Sequence, residues 1–218
     1  MKHPESLSFV EAAAVWMMFL TAYGALVFDA QVKAGDFVII SAASSSVGLA
    51  AIQIANYAGA TPIALTRTAE KKQRLYEAGA PHVIVTQEQD MLVEVMRITG
   101  GNGARVVFDP VAGREFPKLI AALTFQGIAY IYGALSEGDT SIPVLEMIRK
   151  MPTVKGYSIR LVTGDAERRK IAVEYVTKGL AGRTLRPIID RTFKFDDMVE
   201  VHRYLENSSQ FGKIVVTV

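Results

Sequence analysis

Residues 36–60 read DFVIISAASSSVGLAAIQIANYAGA. Residues 37–40 are a continuous run of apolar, strand-forming side chains, the pattern of a parallel strand covered on both faces. Residues 42–46 carry no bulk at all. Over residues 47–57 the apolar side chains recur at helical spacing, with Leu49, Ile52 and Ala55 on one row and Val47, Ala51 and Ile54 on another. A strand, a turn of small residues and an apolar helix together present free backbone N–H groups and the positive end of a helix to a phosphate. Such a unit binds the pyrophosphate of a dinucleotide.

In the G-x-G-x-x-G register the three positions fall on Ala43, Ser45 and Gly48. The last glycine is the one that lets the helix pack closely on the strand. Ala43 and Ser45 reach positive φ less readily than glycine. Ser44, Ser45 and Ser46 offer hydroxyls that can bond phosphate oxygens. An ordinary tight βα turn with no ligand satisfies the same residues.

Outward from this unit the pattern repeats. Further strands are expected over residues 61–66, 82–85, 105–109, 128–132 and 153–159. Helices are expected over residues 69–77, with Leu75 and Tyr76 turned inward, and over 89–98, 116–123 and 143–150. Six strands alternating with helices predict an α/β fold with a doubly wound parallel sheet. Beyond residue 161 the rhythm changes. A charged amphipathic helix over 165–179, a strand pair or extended segment over 185–195, a helix to about 205 and a last strand from 213 are expected. This tail is too small to bury its own core and is expected to belong to an incomplete second domain.

Upstream, Ser8 followed by Glu11 predicts a capping box. Residues 12–28, AAAVWMMFLTAYGALVF, are at the short limit for a membrane span and contain Thr21, Tyr23 and Gly24. A buried helix, broken in its middle, is expected rather than a span.

The chain has 218 residues, half of them hydrophobic, and a formal net charge of +2 with acids and bases interspersed. No basic run argues for nucleic acid. The absence of cysteine removes disulfides, thiolate zinc sites and cysteine nucleophiles, and suits a cytoplasmic protein. His3, His82 and His202 are too scattered for a local metal motif, so each is read as structural or surface.

The end of the second strand selects the cofactor. An NAD site places an acid there, about 20 residues beyond the turn, to bond the ribose 2′-OH. Here the strand runs Ile63-Ala64-Leu65-Thr66 and ends Arg67-Thr68-Ala69-Glu70-Lys71-Lys72. Thr66 supplies a hydroxyl, and Arg67 and Lys71 a cationic cradle for a 2′-phosphate. NADP is therefore favoured over NAD. The same cations at a solvated helix start oppose the macrodipole, which calls for a reason. Glu70 can neutralise Arg67 or bond a ribose itself.

These blocks together resemble a family. Leu20-Thr21-Ala22-Tyr23 with Ala25-Leu26, residues 42–55, residues 66–71, Gly79-Ala80, Phe108-Asp109-Pro110-Val111, Tyr132-Gly133 and Gly212-Lys213-Ile214-Val215 match the cofactor-binding half and tail of a medium-chain dehydrogenase/reductase. The quinone oxidoreductase and zinc-type alcohol dehydrogenase-like branch is the most similar. The resemblance implies a Rossmann sheet over residues 1–160 with its connecting helix. It implies that 161–218 belong to a catalytic domain of GroES type otherwise missing from this chain. It places Ser44, Ser45, Ser46, Val47 and Gly48 at the pyrophosphate, and Thr66, Arg67 and Lys71 at the 2′-phosphate. Thr21 would lie near the nicotinamide, and Val111, Tyr132, Gly133 and Ala134 along the nucleotide cleft. The sixth strand would pair across a homodimer.

The activity so implied is hydride transfer between NADPH and a quinone, enone, aldehyde or alcohol, with no zinc bound by this chain. Quinone reductases of the family commonly carry a tyrosine after the third strand, where Thr86 stands here. With half of the substrate-positioning machinery outside these residues, little turnover by the chain alone is expected. A non-catalytic nucleotide-binding or sensor module fits the same sequence. A short-chain dehydrogenase would need Tyr-x-x-x-Lys, a methyltransferase an acid at the second strand tip, and a serine hydrolase G-x-S-x-G; none is present.

Overall fold

The computed structural model describes residues 3–218. Its elements are α1 (Phe9–Tyr23), β1 (Phe37–Ile40), α2 (Ser46–Tyr57), β2 (Thr61–Thr66), α3 (Lys72–Glu77), β3 (His82–Val85), α4 (Met91–Ile98), β4 (Ala104–Asp109) and α5 (Phe116–Ala121). They continue with β5 (Leu123–Ile131), α6 (Val144–Lys150), β6 (Thr153–Gly156), α7 (Arg160–Thr163), α8 (Ala166–Ala181), β7 (Ile189–Lys194), α9 (Met198–Glu206) and β8 (Lys213–Thr217). The first six strands form one all-parallel sheet in the order β3-β2-β1-β4-β5-β6. The strand order reverses between β1 and β4, so a crevice opens there at the carboxyl ends of the strands.

The sheet is the middle of three layers. Alternate residues of each strand face opposite sides. Val38, Ile40, Ala64, Val106, Phe108 and Tyr130 pack with the α1, α2 and α8 layer, while Ile39, Ile63, Val107 and Ala129 pack with Met91, Val95, Phe116 and Ile120 of α4 and α5. Both faces of the central strands are therefore dry, which is why residues 37–40 show no polar alternation. Ala172, Val176 and Leu180 of α8 share the first of these cores with α1, so the expected boundary at 160 and 161 crosses a common interior.

The long apolar segment is a helix held at its start by the expected capping box of Ser8 and Glu11. At Gly24 it widens into a π-helical stretch, Gly24–Asp29. A Cβ at Gly24 would fall 2.2 Å from the Tyr157 hydroxyl and 3.1 Å from a Val162 methyl, so glycine there leaves room for the Tyr157 side chain just beyond β6. By length and composition Phe9–Asp29 is apolar enough to cross a bilayer, yet most of it is buried inside the fold.

Several boundaries differ from those expected. Tyr76 is 41% exposed rather than turned inward, since the expected helix over 69–77 begins as a 3-10 turn, Ala69–Lys71, and only Leu75 of that pair reaches the core. The fifth helix stops at Ala121, and Leu123 already starts β5. β6 ends at Gly156 instead of 159, because Arg160–Thr163 turns into α7. The segment over 185–195 is one strand, β7, which pairs in parallel with β8 as a separate two-stranded sheet.

Candidate functional site

The turn after β1 is made by a close approach of α2. Ser45 is extended (φ −71°, ψ 163°) and caps the helix, its hydroxyl accepting from the Gly48 N–H at 3.0 Å. The Ser45 N–H donates to the Ala42 carbonyl at 2.9 Å, and the Ala43 N–H to the Leu65 carbonyl at 3.3 Å, which fastens the turn to β2. A Cβ on Gly48 would stand 2.6 Å from the Ala42 oxygen and 2.7 Å from the Ala43 Cα, so only glycine fits. The left-handed residue is Ala42, at φ 45°, and neither Ala43 nor Ser45 has positive φ. The conformational demand expected at Ala43 and Ser45 falls one residue earlier. Ser44, Ser45, Ser46 and Val47 are half-buried around the mouth of the turn.

At the switch point β1 and β4 are joined by Ser41 and Asp109. The Asp109 carboxylate, 1% exposed, accepts from the Ser41 hydroxyl, from the Val111 N–H at 3.2 Å and from the Ala112 N–H at 2.7 Å. Sequence reasoning gave Asp109 no role of its own. Its signal was an acid closing the apolar strand run Val106-Val107-Phe108.

The loops after β4 and β5 are zipped together above this point. The Leu135 and Ser136 N–H groups donate to the Pro110 and Val111 carbonyls at 3.1 and 3.0 Å, and the Gly113 N–H donates to the Thr140 hydroxyl at 2.9 Å. Tyr132 stacks on Phe108 with centroids 4.0 Å apart. Its hydroxyl is buried without a partner among the described residues, and burial, then the Asp109 charge, pushes its pKa well up. Gly133 lies so near that a Cβ would meet the Pro110 oxygen at 2.7 Å, and Ala134 is exposed beside it. Val111, Tyr132, Gly133 and Ala134 thus converge on one rim, at the carboxyl ends of β4 and β5.

At the tip of β2, Thr66 is buried and its hydroxyl donates to the Thr68 carbonyl at 3.2 Å. Thr86 sits beside it, its N–H donating to the Thr66 carbonyl at 2.8 Å. Arg67 is exposed. Lys71 reaches toward the loop before β8, donating to the Ser208 and Gln210 carbonyls at 2.9 and 3.0 Å. Thr21 lies apart from these groups in its bonding: it is buried in α1 and its hydroxyl donates to the Met17 carbonyl at 2.6 Å. The sequence also concealed that the Gly212 N–H donates to the Ser44 carbonyl at 2.9 Å, bringing the tail onto the turn.

A groove of about 250 Å³, lined by Gln53, Asn56, Tyr57, Glu77, Arg183 and Arg186, lies at the far, C-terminal end of α2. It shares no residue with the candidate site.

A parallel sheet in this order, with a glycine-pinned helix N-terminus at its switch point, defines the dinucleotide-fold class of α/β proteins. Residues 46–176 match the zinc-binding dehydrogenase family, and the chain belongs to that family, within the medium-chain dehydrogenases/reductases. It is similar to the quinone oxidoreductase of Homo sapiens, 27% identical over 216 residues that cover 99% of this chain and 64% of that protein. Among solved structures it is similar to an NAD-dependent alcohol dehydrogenase (32% identity, TM-score 0.90, 100% of this chain and 61% of that one). It is also similar to Escherichia coli quinone oxidoreductase complexed with NADPH (26% identity, TM-score 0.91, 100% and 68%). The chain spans less than two thirds of the curated relative's length. Zinc, which the family's description names, has no ligand set here: among the described residues no group of three or more His, Cys, Asp or Glu is placed to hold a metal.

Proposed function

We propose that this chain holds NADP(H) in an oxidoreductase that transfers hydride between the cofactor and a small molecule, a quinone, enone, aldehyde or alcohol. The observation that carries this reading is the N-terminus of α2, set at the switch point by Gly48, next to a strand tip that bears Arg67 and Lys71 and no acid until Glu70. The N–H groups of Ser44, Ser46 and Val47 would face the pyrophosphate, while those of Ser45 and Gly48 are spent on the Ala42 carbonyl and the Ser45 hydroxyl and shape the turn around it. Thr66, Arg67 and Lys71 would hold the 2′-phosphate, and Val111, Tyr132, Gly133 and Ala134 would line the nucleotide rim. Thr21 would sit toward the nicotinamide through its packing and not its hydroxyl, which is already committed to α1. The bound cofactor would supply the hydride. The residues named above would hold and orient it.

The NADPH complex of the Escherichia coli relative supports this choice of cofactor, while the NAD-dependent alcohol dehydrogenase points the other way. The strand tip, where Thr66, Arg67, Thr68 and Ala69 place no acid before Glu70, favours NADP. Isothermal titration with NADPH and NADH tests the choice: tighter binding of NADPH is expected, and equal or tighter binding of NADH overturns it.

Two assignments go with this reading. The segment from 161 carries β7 and β8, a two-stranded sheet of its own, and we assign it to a second, substrate-facing unit. The outer edge of β6 is unpaired among the described residues, and Val144, Leu145 and Ile148 of α6 are exposed nearby, as a homodimer face would require.

A further inference from the structure

Residues 208–212 join α9 to β8 and lie against both of the turns used above. On one side Gly212 bonds the Ser44 carbonyl and bridges Ser45 in parallel. On the other, the Lys71 ammonium donates to the carbonyls of Ser208 and Gln210. Phe211 is buried between them, with the Arg74 guanidinium 4.1 Å from its ring centre. Arg74 pairs with Asp190 of β7 at 3.5 Å, and Asp190 accepts from the Tyr204 hydroxyl at 2.6 Å. The path of this loop is narrowly set. Gly212 has φ 111°, and a Cβ there would lie 2.4 Å from the Ile188 oxygen.

An ammonium carries three donors. Two neutral carbonyls occupy two of them and orient Lys71 without cancelling its charge. Burial, then the neighbouring Arg67, lowers the Lys71 pKa, and Asp190 acts in the opposite sense. A half-buried cation so held gains more from a phosphate than a fully solvated lysine does, since part of its freedom and of its hydration is already lost. The same contacts make the loop sensitive to what Lys71 binds, because linkage is reciprocal.

Resting on the NADP reading, we propose that the 208–212 loop is a specificity-determining part of the cofactor site: it aims Lys71 at the 2′-phosphate, and 2′-phosphate binding clamps the loop onto the Ser44–Ser45 turn. The C-terminal segment is thereby told which cofactor is bound, through β7 and β8.

Hydrogen exchange at the Gly212 amide tests this, with 2′,5′-ADP and 5′-ADP as probes at saturating concentration and their affinities measured alongside. With 2′,5′-ADP the Gly212 amide is expected to exchange at least about tenfold more slowly than with 5′-ADP, the worth of one hydrogen bond to a charged group. Lys71→Met is expected to abolish that difference. If 2′,5′-ADP binds more tightly but protects Gly212 no better than 5′-ADP, the loop assignment fails while the NADP reading stands. If the two nucleotides bind equally, both fail.

Discussion

A Cβ on Gly48 would lie 2.6 Å from the carbonyl oxygen of Ala42, closer than non-bonded carbon and oxygen can come. This one approach holds the helix N-terminus against the end of β1 and gives the turn its shape. Gly48→Ala is therefore expected to lower stability by about 2–3 kcal/mol, the cost of overpacking at a rigid backbone contact. Urea denaturation measures the loss, and NADPH titration of the folded fraction is expected to show weakened binding.

Ser45 acts on the same turn through its hydroxyl, as cap of α2 at Gly48. Ser45→Ala is expected to cost about 1 kcal/mol by denaturation. Ser45→Asp keeps the cap but sets a negative charge where the pyrophosphate would lie. It is expected to retain stability and lose dinucleotide affinity, so the pair of variants separates folding from binding.

Lys71→Met is expected to weaken NADPH binding by at least about tenfold while leaving NADH unchanged, because only the 2′-phosphate differs between them. Titration calorimetry gives both affinities. Arg67→Ala is expected to act in the same direction, and by less, since Arg67 is exposed. An unchanged NADPH affinity in both variants would remove the 2′-phosphate assignment.

Asp29, at the end of the π-helical stretch, accepts from the Lys155 ammonium at 2.9 and 2.7 Å and from the Tyr130 hydroxyl at 2.7 Å. Burial raises its pKa, but the bonds from Lys155 and Tyr130 outweigh burial and leave it below the ordinary carboxylate value. A depressed folded pKa adds stability above the unfolded value, near pH 4, and that stability is lost as pH falls through the folded value. Asp29→Asn is thus expected to be less stable than the parent by about 1 kcal/mol at pH 7, a gap that narrows as pH falls below the unfolded value, near 4. Thermal unfolding across this range measures it.

Beside the same β6 edge of the sheet, Leu145→Glu with Ile148→Glu adds charge to exposed positions that touch no described core cluster. Light scattering is expected to show a dimer for the parent chain and a monomer for this variant, with the circular dichroism spectrum retained. A parent chain that is already monomeric would remove the dimer assignment.

Much of this molecule was legible in its residues. The runs 37–40, 61–66 and 82–85 became strands at those bounds, because a strand covered on both faces needs consecutive apolar residues at its centre, as at Val38 and Ile39, Ile63 to Leu65, and Val83 and Ile84. The capping box of Ser8 and Glu11 was legible for the same local reason. Tyr76 was misjudged because a six-residue helix has too few turns for its spacing to define a face. β6 was drawn too long because nothing in residues 157–159 announces the turn into α7.

The sequence by itself determined the alternation of elements, the helix that follows the small-residue turn, and the charge at the tip of β2, since each depends on neighbours a few residues apart. The tertiary structure alone decided the strand order, and with it the crevice between β1 and β4 where Ser41 meets Asp109. It alone decided that Gly212 and Gln210 of the tail would bond Ser44 and Lys71. On the tail side each of these contacts is made by a backbone amide or carbonyl, which every residue carries, so no side-chain pattern in the tail records them; only the path of the packed chain brings them together.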